Sequence, residues 1–356
     1  MLRKITLKKI AGLTMVAGAL AIGASAQASV ITGGTINPLV TSGALPDSPA
    51  ARVDANTSAS PFSGVVSINI RYDGESFICS GALVGKRQVV SAGHCVDTDG
   101  NGTVIDINKP GSDVRVVFNS DGDYNAVMTA VGVSMDPDYK GFGNCPVGVD
   151  SFCVNDDVAV ITLGEDAPDS AKIYKVAVNP LNEGTKIMMV GYGTTGNGID
   201  GFTEGPAFNI KRSGENYVDL FDGDDEMGWG GEREVYYADF DGNGQDTFCD
   251  FFGVCTPQLA NDREAGIGGG DSGGPSFVYM YGELMLVANN TFGGTFGDVE
   301  GAFGSYFGGI ILSAHKDYLW EATGGNITFV PEPGSFALFG LAALGLLGAR
   351  RRSIKK

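Results

Sequence analysis

The octapeptide Gly268-Gly269-Gly270-Asp271-Ser272-Gly273-Gly274-Pro275 sets a single serine between glycines. A serine hydroxyl has too high a pKa to attack a carbonyl unaided. It needs a neighbouring base, and the base needs a partner that fixes its tautomer. Outward from the serine, two other segments offer those groups. Val90-Ser91-Ala92-Gly93-His94-Cys95 places a histidine at the end of a predicted strand, and Asp156-Asp157-Val158-Ala159-Val160-Ile161-Thr162-Leu163 opens an apolar strand with an acid. Only 2 histidines occur in the chain, and His315, on a predicted final helix, reads as a core or surface residue, which leaves His94 as the base.

The intervening sequence is made of short apolar runs. Residues 65–70, 80–84, 88–91, 114–118, 127–133, 158–163, 186–190, 275–280 and 284–288 read as strands. Clusters of Gly, Asn, Asp and Ser separate them, the residues that tolerate tight turns. Before the C-terminal tail only residues 311–320 read as a helix, and no internal repeat is visible. Many short strands with turn punctuation imply an all-β sandwich or barrel.

The three segments, in this order, resemble the chymotrypsin-like serine peptidases. Also carrying the resemblance are the spacing of Cys79 and Cys95 around the histidine, Gly191-Tyr192-Gly193 where the family has Gly-Trp-Gly, and the terminal helix. It implies two six-stranded Greek-key β-barrels with a C-terminal helix over residues 53–325, enlarged at about 197–263. The function it implies is a serine endopeptidase that acts on a protein or peptide substrate through an acyl-enzyme, with no cofactor required for catalysis. A second reading is a surface adhesion or matrix-binding protein on a peptidase scaffold with little proteolytic activity.

By the same resemblance Ser272 is the nucleophile, His94 the general base and acid, and Asp157 the residue that orients His94. Asp156 competes on residue type, but the family sets the acid directly before the apolar strand. The backbone N–H groups of Gly270 and Ser272 are expected to form the oxyanion hole. Gly266 corresponds to the floor of the S1 pocket, and Gly293 and Gly304 to its walls. No carboxylate stands at that floor, so a basic P1 side chain lacks a counter-ion there, while glycine walls admit a large apolar or aromatic one; Asp262, Glu264 and Asp298 are alternative sources of charge. Gly268 departs from the family, which has a cysteine four residues before the serine. Asp271 is expected to pair with a new N-terminal amine. Arg52-Val53 stands where the activating cut belongs, with Val53 26 residues before Cys79. The implied zymogen is cut after Arg52 and pairs Val53 with Asp271; the alternative is that Arg52 merely ends a flexible leader over residues 29–52.

Six cysteines suit an exported, oxidising setting. The family supports Cys79 with Cys95, and proximity in sequence suggests Cys145 with Cys153 and Cys249 with Cys255. The acidic segment after residue 220 offers Asp239, Asp241, Asn243, Gly244 and Asp250 at the spacing of an EF-hand-type calcium loop. Asp97, Asp99, Asn101 and Gly102 repeat its start, with Asn108 a poor twelfth ligand. Structural calcium is therefore one reading; a plain Asp-Gly-Asn-Gly turn is the other.

Both ends of the chain are distinct from the middle. Arg3, Lys4, Lys8 and Lys9 precede an apolar stretch over residues 10–22 and the small residues Ala24-Ser25-Ala26-Gln27-Ala28, the pattern of a signal peptide over 1–28 cleaved after Ala26 or Ala28. Pro331-Glu332-Pro333, an apolar run over 334–349 and Arg350-Arg351-Arg352 resemble the PEP-CTERM sorting signal, over residues 331–353. That resemblance implies export to the surface of a Gram-negative bacterium, a membrane anchor before processing and an exosortase-type partner; an ordinary C-terminal anchor is the alternative. Formal charge over the whole chain is −18, from 24 basic and 42 acidic residues. Without the two ends it is −26, which argues against nucleic acid as a partner.

Overall fold

The computed structural model describes residues 41–149 and 152–331. The signal peptide, the first part of the leader and the apolar run over 334–349 lie outside the described residues. Six strands make up the first half: β1 (Val65–Tyr72), β2 (Glu75–Leu83), β3 (Gln88–Ser91), β4 (Asp113–Phe118), β5 (Ala126–Met135) and β6 (Ala159–Leu163), with the single helical turn α1 (Gly93–Val96) after β3. They close into a barrel in the order β1-β2-β3-β6-β5-β4.

Period-two alternation explains both faces of these strands. Ile68, Ile70, Val114, Val116, Phe118, Ile161 and Leu163 fill the barrel interior. Val65, Val90 and Val160, out of phase with them, pack against Met188, Val190, Tyr192, Phe277 and Leu286 of the second half. The two halves therefore share one apolar seam.

The second half contains β7 (Val176–Val178), β8 (Lys186–Gly191), β9 (Thr195–Asn197), β10 (Gly201–Glu204), β11 (Arg212–Tyr217), β12 (Leu220–Asp224), β13 (Gly230–Phe240), α2 (Thr247–Phe252), β14 (Pro275–Met280), β15 (Glu283–Thr295), β16 (Ser305–Ile311), α3 (Lys316–Ala322) and β17 (Phe329–Pro331). Nine of these strands form one sheet, ordered β11-β8-β14-β15-β16-β13-β12 with β7 added beside β15 and β17 beside β7, while β9 and β10 pair separately. The count exceeds the six expected because the hairpin β12–β13 extends one edge and β17 extends the other side. Residues 197–263 are thus not a loop; they supply four strands. β11 escapes a hydrophobicity reading because it reads Arg-Ser-Gly-Glu-Asn-Tyr, yet five of its six residues are buried.

The predicted helix at 311–320 begins only at Lys316, since Ser305–Ile311 is strand β16. Gly308 and Gly309 in that strand have a steric role. A Cβ at Gly308 would come within 2.3 Å of the Phe292 ring, and one at Gly309 within 2.0 Å of the Asn289 carbonyl oxygen. The folded body also starts earlier than residue 53. Thr41 and Ser42 are fully buried, Thr41 N–H donates to Gly266 O at 3.1 Å, and Ser42 Oγ donates to Gly196 O at 2.6 Å.

Candidate active site

Residues from both halves meet at the seam. α1 carries His94 at the end of β3, and Asp157 lies just before β6, the strand paired with β3. Asp157 is fully buried, and its carboxylate holds His94 at two points: Oδ1 accepts the His94 backbone N–H at 2.7 Å, and Oδ2 lies 2.7 Å from ring Nδ1. His94 keeps about a fifth of its side chain exposed, at 22%. Between the two sits Gly93, whose Cβ would approach Asp157 Oδ1 to 3.0 Å and the Tyr139 ring to 3.1 Å. Phe142 packs on the imidazole with ring centroids 5.0 Å apart.

The second half delivers Ser272 on the turn before β14. Ser80 N–H donates to Ser272 O at 2.8 Å, and Gly273 N–H donates to Asn290 O at 2.7 Å. The Cys95 sulfur, one residue after His94, lies 3.8 Å from the same Ser272 carbonyl oxygen; it is bonded to Cys79 and so is a contact, not a donor. Gly273 is required by this close approach, because a Cβ there would meet Ser91 Oγ at 2.1 Å and Ser80 O at 2.5 Å. Gly270 takes φ +99°, a region that favours glycine. Among the described residues neither the Gly270 nor the Ser272 N–H is taken up by a protein acceptor.

Asp271 lies beneath this turn, fully buried. Its Oδ1 accepts from Gly193 N–H at 2.7 Å and its Oδ2 from Gly268 N–H at 2.9 Å. Gly191-Tyr192-Gly193 is explained by the same carboxylate: a Cβ on Gly191 or Gly193 would come within 2.1 Å or 2.5 Å of its atoms. Tyr192 sits in place of tryptophan, and its hydroxyl donates to Val65 O at 3.1 Å, bridging the halves. Val53 lies opposite Arg212, not against Asp271. Arg52 is buried at 4% exposure, with its guanidinium on Asp47.

Burial pushes the Asp271 carboxyl up to about 7 from 3.8, against the pull of its two N–H donors and of Arg212. The fold thus favours the protonated acid. That contribution is fully present below the unfolded value and is lost as pH rises through about 7, on the order of 4 kcal/mol in total for this wholly buried group. Asp271→Asn is expected to lower stability at pH 4, because its amide NH2 faces a backbone donor, and to flatten the decline between pH 4 and 7. Melting temperatures of both proteins across that range provide the check; equal slopes would refute the assignment.

Asn289 on β15 is a residue that the motifs do not reveal. Its Nδ2 donates to Ser91 O at 3.1 Å and to Asp157 O at 3.0 Å, tying the second sheet to both segments that carry His94 and Asp157. Of the residues matched to the S1 pocket, two share a neighbour: Gly304 N–H donates to Phe240 O at 2.9 Å, and a Cβ on Gly266 would meet the Phe240 ring at 3.4 Å; Gly293 on β15 is opposite Phe307 on β16. Glu264 turns its carboxylate toward the Leu259 N–H, 2.8 Å away, and burial pushes it up to about 9.

All three cysteine pairs are formed, Cys79–Cys95, Cys145–Cys153 and Cys249–Cys255. Two members of the EF-hand-type ligand set, Asp239 and Asp241, come together. Asp239 and Asp241 cluster with Asp246, and Asp250 is exposed on α2. Asn243 Oδ1 accepts from Asn261, while Asp239 and Asp241 take backbone N–H donors from Phe248 at 2.6 Å and Thr247 at 3.0 Å. Asp97 likewise closes its own loop, accepting from Gly102 N–H at 2.7 Å.

Residues 52–205 match the trypsin family model, and residues 329–352 match the PEP-CTERM protein-sorting motif. No curated protein matches the chain. Among solved structures, a thermostable serine protease AL20 from an extremophilic microorganism aligns at 16% identity over 75% of this chain and 99% of its own, with a TM-score of 0.45. The protease Anisep from Arthrobacter nicotinovorans aligns at 14% identity over 76% and 99%, with a TM-score of 0.46. HL collagenase aligns at 18% identity over 77% and 97%, with a TM-score of 0.47.

Proposed function

We propose, for a chain that carries a trypsin-family domain, the activity of an exported serine endopeptidase. The observation that carries the reading is the two-point grip of the Asp157 carboxylate on His94, at 2.7 Å each, beside a turn that presents Ser272 and two unclaimed N–H groups. With Nδ1 held by Asp157, the imidazole offers Nε2 as the base. His94 takes the Ser272 proton as Oγ attacks the scissile carbonyl, and the oxyanion is received by the Gly270 and Ser272 N–H groups. The proton passes to the leaving amine, the acyl bond to Ser272 Oγ is left, and water activated by His94 hydrolyses it. No metal or cofactor enters these steps.

Glycines at the pocket positions 266, 293 and 304 suit a large apolar or aromatic P1 side chain, whose entry requires the Phe240 ring packed on Gly266 and the Gln245 amide over Gly304 to give way. Glu264 is drawn off to the Leu259 N–H and held largely neutral by burial, so it is not a counter-ion for lysine or arginine. The PEP-CTERM match supports export and handling by an exosortase-type enzyme, consistent with the three disulfides. Activation at Arg52-Val53 requires Arg52 to leave its pairing with Asp47, which makes the uncut chain a poor substrate for its activator. A peptide library varied at P1, incubated with the purified exported protein, tests the reading. Cleavage concentrated after Phe, Tyr, Leu or Met is expected. Binding of peptides without cleavage would instead support the adhesion reading.

A further inference from the structure

A cavity of about 130 Å³ opens beside the Cys145–Cys153 loop, lined by Asn155, Asp156, Asp225 and Glu226 among others. It adjoins a cleft of about 680 Å³ that shares Asp156 and Glu226 and adds Asp136, Glu234 and His315. Carboxylate oxygens of Asp156, Asp225, Glu226 and Glu234 lie within 4.8 Å of one another. Three of these four residues are buried, with exposures of 5% for Asp156, 3% for Asp225 and 8% for Glu234. Among the described residues no lysine or arginine pairs with any of the four. Lys140, on the cavity wall, gives its ammonium to Pro137 O.

Independent of the charges, a buried neutral oxygen points to a ligand. Asn155 is 4% exposed; its Nδ2 donates to Glu234 Oε2 at 2.7 Å and to Gly223 O at 2.9 Å, while Oδ1 of the same amide has no partner. Asp225 Oδ1 is also buried without a partner, while His315 turns Nδ1 to Asp136 Oδ2 at 3.1 Å and toward Asp156 Oδ1 at 3.6 Å, leaving the cluster's other three acids without a cationic partner. A buried amide oxygen with no donor is costly unless something fills the space beside it.

We propose that this cluster is a calcium site, with Asn155 Oδ1 and carboxylate oxygens of Asp156, Asp225, Glu226 and Glu234 as ligands. Four carboxylates and one amide oxygen, on three separate chain segments, suit a hard cation that accepts irregular coordination and high ligand number; magnesium demands a near-ideal octahedron. Zinc is poorly served, since the neighbouring Cys145 and Cys153 are joined in a disulfide. The consequence is mechanical. Asp156 immediately precedes Asp157 and sits at φ +61°, while Asp225 and Glu234 belong to the β12–β13 hairpin. One ion would fasten that added hairpin to the segment that orients His94.

Calorimetric titration of the chelator-stripped, full-length exported protein with CaCl2 tests this without reference to peptidase activity. The wild-type protein is expected to bind one calcium through this cluster. Glu226→Gln, at the exposed edge where folding is safe, and Asp225→Asn are each expected to weaken binding about tenfold or more. Asp241→Asn, in the other acidic loop, is expected to leave it unchanged. Absence of binding in the wild-type protein overturns the proposal, as does loss of binding in Asp241→Asn with Glu226→Gln unaffected, or equal affinity for MgCl2.

Discussion

Replacing Ser272 by alanine is expected to lower kcat for peptide cleavage by about 10⁶, with the fold intact. Among the described residues the Ser272 side chain makes no hydrogen bond, so its removal breaks no structural contact. The turn is held by its backbone instead: Ser80 N–H on Ser272 O, Gly273 N–H on Asn290 O and Asn290 N–H on Gly274 O, at 2.8, 2.7 and 2.8 Å. Losing Oγ removes the acyl acceptor altogether, and what survives is the oxyanion hole and substrate binding, on the order of 10³ over water. KM is expected to change little and the melting temperature to stay within about a degree. Initial rates on a cleaved peptide, with a thermal melt of both proteins, read this directly. A variant that melts like the wild type and still turns over would remove Ser272 from the chemistry.

Asp157→Asn carries the second largest expected effect, about 10⁴ in kcat. Here the geometry makes the direction specific. Both carboxylate oxygens face donors, the His94 backbone N–H and Nδ1, each at 2.7 Å. An asparagine has one acceptor oxygen for these two positions. If that oxygen keeps the backbone N–H, its NH2 points at Nδ1 and forces the proton onto Nε2, which then cannot take the serine proton. If it keeps Nδ1–H, the NH2 opposes a buried backbone N–H and α1 is displaced. Either arrangement lowers kcat far more than it raises KM. Steady-state kinetics of the variant beside wild type distinguish this from a merely structural role, which would show as a large loss of thermal stability with kcat per folded molecule preserved.

Much of the site was legible because its residues are constrained by close approach. Gly191, Gly193 and Gly273 are fixed by atoms of Asp271, Ser91 and Ser80 that leave no room for a Cβ, and such constraints leave short, readable motifs. The strands of the first barrel were legible for another reason, since Ile68, Ile70, Val114, Val116 and Phe118 alternate in and out of one apolar core. What escaped reading depends on partners distant in sequence. β11 is buried although polar, because ladder pairing with β8 and side-chain bonds such as Asn216 Nδ2 to Ala265 O at 2.8 Å satisfy it. Asn289 ties two segments lying well over a hundred residues away, and no local pattern marks it. The acidic residues show the same limit. Spacing along the chain points to Asp239 and Asp241, which do come together with Asp246, but it gives no sign that folding gathers Asp156 with Asp225, Glu226 and Glu234 from distant positions.

The most direct measurement of the central claim is covalent labelling with a fluorophosphonate probe, followed by mass spectrometry of the labelled peptide. The probe reports a serine oxygen activated by a base and an oxyanion hole, independently of which substrate is preferred. One adduct per chain is predicted, located on Ser272, absent from Ser272→Ala and strongly slowed in Asp157→Asn. Correctly processed, folded protein that takes up no probe, or takes it up on another residue, would contradict the account.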